Sequence, residues 1–394
     1  MHNLIIPMAG FGNRFVDQGY KLPKQLLNLS EITCLEKSLK SLDYKDANVI
    51  LIARKEYLDE FSIDDILSTT LVGARNVTVK PLDFKTRGSL ETCLAAAEHL
   101  DPSYPTSIFT LDVSFTPQIS LSKIDFEGAD ALAFTIKTNN HGFSYLKMNE
   151  DGYAVLAAEK NRISEYGISG LYSFRDTAKF IEMSSSNIEK GLLSGNEFYI
   201  APLFNDYINN GLKVKKFDLD SLIMFGTPRE YEYAKQYCMS RMVPAEVKIG
   251  VASDHSGYRA KEVFKKLAKQ KGFKVVDYGC HSEMACDYPD FVSGNAEAIC
   301  NREVDIGFSF CNSGQGVNIA ASKYRKIISV IAYSAEAFAV SLAHNNPNHV
   351  AVPSSLSNEN YLEQLLDALV TSTFEGGRHQ DRLMKVLESE RYDL

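Results

Sequence analysis

NLIIPMAGFGNRFVDQGYKLPKQLL, residues Asn3 to Leu27, decides how the front of the chain is read. An apolar run, Leu4 to Ile6, feeds Ala9-Gly10-Phe11-Gly12-Asn13-Arg14, and a second turn closes on Leu22-Pro23-Lys24. That order describes a buried strand emptying into a glycine loop, whose backbone N–H groups can approach a phosphate closely. Arg14, Lys21 and Lys24 supply positive charge for a polyphosphate. Phe15 stands where a GxGxxG dinucleotide loop needs its third glycine, and no GxxxxGK[ST] occurs, so neither common phosphate loop fits. A plain strand-to-helix turn would account for Gly10 and Gly12, but not for Arg14 together with Pro23-Lys24.

Outward from this stretch, 394 residues exceed what a single hydrophobic core usually supports, so two domains or one large one are expected. An apolar fraction of 45% and a charged fraction of 23% are those of a water-soluble globular protein. No segment is a continuous apolar span of membrane length, and the chain opens on a strand-like run rather than a leader, so a cytoplasmic location is expected. The seven cysteines form no CxxC pair and no zinc spacing, which argues against a disulfide framework or structural zinc. A net charge of −8 disfavours general nucleic-acid binding.

Further along, Cys34–Leu42 has helical spacing, Asn48–Ala53 and Asn76–Val79 read as strands, and Leu90–Leu100 reads as a helix. Ser107–Leu111 reads as a buried strand ending on Asp112. The alternation predicts a mainly parallel sheet covered by helices, with ligands at the carboxyl ends of the strands. Shorter strands follow from Ala129 to Phe174, with a hairpin at Asn149–Gly152; NEFYIAP (196–202) leads into a helix, and another helix is expected over 229–242. Pro244-Ala245-Glu246 reads as a connector. At Val247 the grammar starts again: strand 248–252, helix 260–271, strand 273–277, then strands 305–310 and 327–331. The opening motif does not recur, so the two halves are a fusion and not a duplication.

The glycine loop with Arg14 and Pro23-Lys24 resembles the signature of the sugar nucleotidyltransferases. The resemblance continues through Asp112, Glu159-Lys160, Asn196-Glu197 and Gly226-Thr227-Pro228, and runs over roughly residues 1 to 240. It looks most like a branch found in capsule and surface-polysaccharide pathways. It implies that Ala9, Gly10, Gly12 and Gly88 surround a nucleoside triphosphate, with Arg14 and Lys24 neutralising developing charge as catalytic cations. It implies Asp112 as a Mg²⁺ ligand, and Lys160, with Glu159, Asn196 and Glu197, on the sugar-phosphate side. A strand-end Asp capping a turn is the plainer alternative for Asp112. Many relatives carry a second acidic metal ligand where this chain has Met224, and whether Asp218 or Asp220 substitutes stays open. The implied reaction is attack of a sugar-phosphate oxygen on the α-phosphorus with release of pyrophosphate, a step that needs positioning and charge neutralisation. Loops such as Leu82–Ser89 would read the base.

From Val247 on, the clusters Asp254-His255-Ser256-Gly257, Asp287-Tyr288-Pro289, Cys311-Asn312-Ser313-Gly314-Gln315-Gly316, His344-Asn345 and Glu375-Gly376-Gly377-Arg378-His379-Gln380-Asp381-Arg382 occur in that order. They resemble ribose-5-phosphate isomerase B and its galactose-6-phosphate isomerase relatives. Aldose–ketose isomerisation needs a base, a donor for the enediolate, a ring-opening group and cations for the phosphate. The resemblance implies Cys311 as base, with Ser313 as a nearby hydroxyl. It implies His344 for ring opening with Asp254 and Tyr288, and Asn345 with the Gly314 and Gly316 loop for the enediolate. His255, Arg378 and Arg382 would hold the phosphate. A small buried core residue is the plain alternative for Cys311. Relatives often have Cys-Gly-Thr-Gly where this chain has Cys-Asn-Ser-Gly, and Asn312 adds a side chain near the sugar. The resemblance also implies a site shared between two subunits, hence a homodimer, and no cofactor for this half.

The fold expected is α/β in two domains: residues 1–243, Rossmann-like with a mixed sheet, and residues 247–394, a doubly wound parallel sandwich. The function expected is a fused nucleotidyltransferase and sugar-phosphate isomerase using CTP and a pentose phosphate. The competing expectation makes the second half a non-catalytic, sugar-phosphate-binding dimerisation module.

Overall fold

A computed structural model describes residues 1–29, 32–61, 70–237 and 244–389. The last part of the helix expected over 229–242 lies outside the described residues; the helix itself is seen over Pro228–Tyr237. The chain divides into two compact units, Met1–Lys235 with Gly376–Arg378, and Gln236–Glu375 with His379–Leu394.

In the first unit the strand His2–Met8 is central because Leu4, Ile5 and Ile6 are wholly buried. It lies between two parallel neighbours, Ala47–Arg54 and Thr106–Phe109, with Asn76–Leu82 parallel beyond the first of these. Runs without alternation, apolar on both faces, are what a parallel sheet under helices requires. Tyr166–Phe174 then joins Thr106–Phe109 antiparallel and takes Ala131–Lys137 antiparallel in turn, while Val214–Asp218 returns parallel to Ala131–Lys137. The sheet is mixed, as expected. Tyr145–Met148 and Ala154–Ala158 form the expected hairpin, closed at Gly152 with φ 79°.

Two elements differ from the periodicity. The Leu90–Leu100 helix is interrupted: helix Ser89–Leu94 tightens to Ala95→Thr92 and Ala96→Cys93 backbone bonds before a separate turn at Ala97–His99. The strand expected through Leu111 ends at Phe109, because Leu111 takes a φ of 58°. That turn puts Asp112 past the sheet edge.

The second unit is a five-stranded parallel sheet in the order Lys274–Asp277, Lys248–Ser253, Ile306–Cys311, His349–Pro353, Ser329–Ile331. Ile306, Phe308 and Phe310 enter one apolar cluster, with Phe264, Phe338 and Leu366; Cys311 enters a different one, with Val292, Val317 and Ala351. Period-two alternation thus feeds two cores, one on each face, and the helices cover both. This is the doubly wound parallel sandwich expected from the sequence. No helix among the described residues is long and apolar enough to cross a membrane.

Candidate active sites

In the first unit Gly12, at φ 61°, ends the glycine loop and opens the short helix Asn13–Val16. Only glycine takes that backbone without strain. Phe15 turns inward and meets Tyr20 and Tyr231 edge-on, while Arg14 and Lys21 are exposed. Pro23 leads into the single turn Lys24–Leu26, and Lys24 Nζ is ion-paired with Asp112 Oδ1. The carbonyl oxygen of Asp112 accepts from Phe225 N–H at 3.0 Å. Gly226 is packed so tightly that a Cβ there would lie 3.2 Å from Asp112 Cβ, which gives the glycine of Gly226-Thr227-Pro228 a steric reason. Ala9, Gly88 and Asp112 all follow carboxyl ends of parallel neighbours in the sheet, the usual ligand edge of such folds.

Met224 pairs with Val113, beside Asp112, and is buried. Its thioether is no ligand for a hard cation. Asp218 accepts from Thr135 Oγ1 at 2.8 Å and pairs with Lys216, so it is engaged away from this point. Cys34, which sequence reading passed over, is buried near the Lys24–Asp112 pair; burial pushes its thiol up to about 12.

Gly88 has a packing duty that its sequence motif does not reveal. Its φ is 149° and a Cβ would meet the Phe198 carbonyl oxygen at 2.4 Å. Phe198 N–H donates to Arg87 O, and Leu90 N–H donates to Phe198 O, both at 2.9 Å. The loop ending at Gly88 is thereby laced to the segment carrying Asn196 and Glu197, both exposed. From the neighbouring Tyr199, the hydroxyl accepts from Lys160 Nζ at 2.7 Å. Glu159 accepts from Ser144 Oγ, and burial raises its carboxyl above the usual range. It lines a cavity of about 430 Å³ with Asn161, Ser194, Asn205 and Asp206. Of the residues read as the sugar-phosphate side, Glu159 lines this hollow, together with apolar Leu192, Leu193 and Pro202, whereas Lys160, Asn196 and Glu197 are not among its lining residues.

In the second unit Asp254 follows the strand Lys248–Ser253, and its N–H donates to Phe310 O at 3.2 Å. Its Oδ1 accepts from Ser256 Oγ at 2.6 Å and Gly257 N–H at 2.9 Å, closing the turn. A Cβ on Gly257 would strike Phe310 O at 2.3 Å, so only glycine lets this turn lie beside Cys311. Cys311, 5% exposed, ends its strand; Gly314, at φ 74°, opens the helix Gln315–Ala321. Tyr288 lies over that helix start: a Cβ on Gly316 would be 2.6 Å from its ring. Cys286 N–H donates to His255 Nδ1 at 3.2 Å, which leaves Nε2 as the ring's other polar atom. The loop bearing Cys286 is anchored by the wholly buried Lys261, whose Nζ donates to Asp277 Oδ1 at 2.7 Å and Cys280 O at 2.6 Å. Burial works against ionised Asp277, but hydrogen bonds from Lys261 and Lys265 outweigh it and hold its carboxyl below the usual range.

The structure does not bring every residue of the second half together within one chain. Cys311 pairs with Pro353 and Gly307 with His349, so Cys311 sits at the carboxyl edge of the sheet. His344 lies in the last turn of the helix Ala335–Asn345, which runs back to the amino edge and feeds the strand His349–Pro353. The strand between these levels spans about 13 Å at 3.3 Å per residue. Asp254, His255, Tyr288, Ser313 and Cys311 share one edge; His344 and Asn345 lie at the other, where His379, in the first turn of the helix Arg378–Ser389, stacks on the His344 ring at 4.2 Å. Arg378 and Arg382 lie on that same helix, one turn apart. Glu375 and His379 were not singled out as site residues; their signal was a carboxylate and an imidazole four residues apart across Gly376-Gly377-Arg378.

A family model for ribose/galactose isomerases matches residues 249–386. A probable ribose-5-phosphate isomerase B of Mycoplasma genitalium is 32% identical over 145 residues, 36% of this chain and 95% of that relative. The chain belongs to the ribose/galactose isomerase family. Within that family, the ribose-5-phosphate isomerase B of Escherichia coli is likewise 32% identical over 144 residues, 36% of this chain and 97% of the relative. Outside the isomerase domain, the N-terminal region resembles the crystal structure of a nucleoside-diphosphate-sugar pyrophosphorylase from Vibrio cholerae, with 25% identity and a TM-score of 0.53. That match covers 59% of this chain and 99% of the other. The protein is thus an isomerase-family domain behind a pyrophosphorylase-like nucleotidyltransferase fold.

Proposed function

We propose that the protein is bifunctional, condensing a nucleoside triphosphate with a sugar phosphate in its first unit and interconverting aldose and ketose phosphates in its second. The observation that carries the second activity is the placement of Cys311, Asp254 and Tyr288 on one sheet edge beside the Gly314–Gly316 helix start. Cys311 Sγ, as thiolate, would take the C2 proton of the open-chain aldose and return it at C1 while a hydroxyl proton passes from O2 to O1; helix-start N–H groups would steady the enediolate oxygen, and His255 the phosphate. His344 and Asn345, with Arg378 and Arg382, would be supplied to that edge by a second copy of the chain, making the working unit a homodimer.

The first activity is supported by the Lys24–Asp112 pair at the end of the glycine-loop strand group. Asp112 offers a hard carboxylate oxygen, 39% exposed, which suits Mg²⁺ held mainly by water and substrate phosphates. When bound, the ion would neutralise phosphate charge; Lys24 and Arg14 would do the same from the protein side, and Lys160 would meet the acceptor's phosphate. CTP and a pentose phosphate are the proposed substrates, the isomerase supplying or drawing on the same sugar phosphate for surface-polysaccharide precursors.

Pyrophosphate release measured over the common nucleoside triphosphates with several sugar phosphates tests the first half. Deuterium exchange from solvent into C1 or C2 of a pentose phosphate tests the second. Binding of pentose phosphate without exchange would instead make this unit a sensor.

A further inference from the structure

His344, Glu375 and His379 come together within the second unit, and their nitrogen and oxygen ligand atoms all lie within 4.8 Å of one another. The chain holds them there by backbone as well as side chain. Glu375 N–H donates to Ala343 O at 2.9 Å, which fastens Glu375 to the end of the helix carrying His344. Gly376 and Gly377, at φ 64° and 52°, then turn the chain so that His379, one helical turn on, comes back to the same carboxylate. The two imidazoles stack with ring planes 10° apart, and both point Nε2 at Glu375, at 3.2 Å from Oε1 and 3.3 Å from Oε2.

We propose that this cluster is a site for a divalent transition metal of the Zn²⁺ class. In a tetrahedral site with metal–nitrogen bonds of about 2 Å, neighbouring ligand atoms lie about 3.3 Å apart, the separation each nitrogen keeps from one carboxylate oxygen, and the stacked rings must turn out of parallel for both Nε2 lone pairs to meet one ion. Two imidazoles and one carboxylate suit zinc, cobalt or nickel, whereas Mg²⁺ and Ca²⁺ prefer all-oxygen shells. His379 is only 7% exposed and fixes the inner side; His344 and Glu375, 38% and 41% exposed, leave a path for the ion and a coordination position open to water. Binding replaces the imidazole N–H protons with metal, so it withdraws the His344 Nε2 lone pair. Resting on the proposal that His344 opens the sugar ring, the occupied site is an inhibitory one.

The test uses the full-length protein freed of metal and titrated with Co²⁺ as a coloured probe. A ligand-field absorption band saturating at a single Co²⁺ per chain and displaced by Zn²⁺ is expected. Glu375→Gln and His379→Ala, each confirmed folded by circular dichroism, should raise the apparent Kd for Co²⁺ by about tenfold or more. No band with the wild type, or the same affinity in both variants, overturns the site. Isomerase assays in parallel should show inhibition by Zn²⁺ and reversal by a chelator, with no effect of Mg²⁺ at the same concentration. A Co²⁺ band with unimpaired isomerisation upholds the metal site and removes His344 from the proposed chemistry.

Discussion

At the scale of single residues, Cys311 and Gly88 illustrate what a motif does and does not disclose. The Cys-Asn-Ser-Gly-Gln-Gly cluster pointed to Cys311, and the structure sets it at a strand end with Asp254 and Tyr288 close by. Cys311→Ser should lower the isomerisation rate by about 10²–10⁴-fold while leaving pyrophosphate release intact, as read by separate assays on one preparation. Gly88 was legible only as a nucleotide-loop glycine. Its steric role depends on Phe198, brought there by tertiary folding that no local pattern announces. Gly88→Ala must move the Phe198 backbone and should cost at least about 2 kcal/mol, lowering the first unit's melting midpoint by several degrees in calorimetry. His344 was legible as a candidate site histidine, but its position on the sheet was not, because edge assignment needs the strand register.

At the scale of elements, the parallel strands were legible from unbroken apolar runs, and their ends drifted where a single residue left the pattern. Leu111 is apolar and reads as strand, yet its positive φ ends the strand early and frees Asp112. The strand His349–Pro353 carries a different lesson. His349 is wholly buried between Ser309 Oγ, 2.9 Å from Nε2, and Ser329 Oγ, 2.7 Å from Nδ1, and burial lowers its pKa to about 3. Its folded pKa is below the unfolded value, so the unfolded chain binds the extra proton between about pH 6.5 and 3. The stability it contributes is therefore complete above pH 6.5 and is lost as pH falls through that window. Denaturant melts of the second unit should lose about 2 kcal/mol between pH 6.5 and pH 5 from this group, and His349→Gln should flatten that slope.

At the scale of the whole molecule, the order of motif clusters was enough to separate two α/β units, since each begins with its own strand, glycine turn and helix. What order along the chain could not supply is which clusters share an edge. Cys311 and His344 lie at opposite edges of one sheet, so the proposed isomerase chemistry would need two chains, each lending what the other lacks. Mixing inactive Cys311→Ala and His344→Ala proteins after subunit exchange should restore about one quarter of wild-type isomerase activity, because half of random dimers are mixed and each holds one intact site. Either variant alone stays inactive; no recovery on mixing would place the full site within a single chain.

Under the proposed function, the same opposition of edges would make one activity collective and the other private. As the protein is diluted below its dimer dissociation constant, turnover per chain should fall for the isomerase and hold steady for nucleotidyl transfer. The ratio of the two products would then report how crowded the protein is, with the fused chain acting as its own concentration gauge.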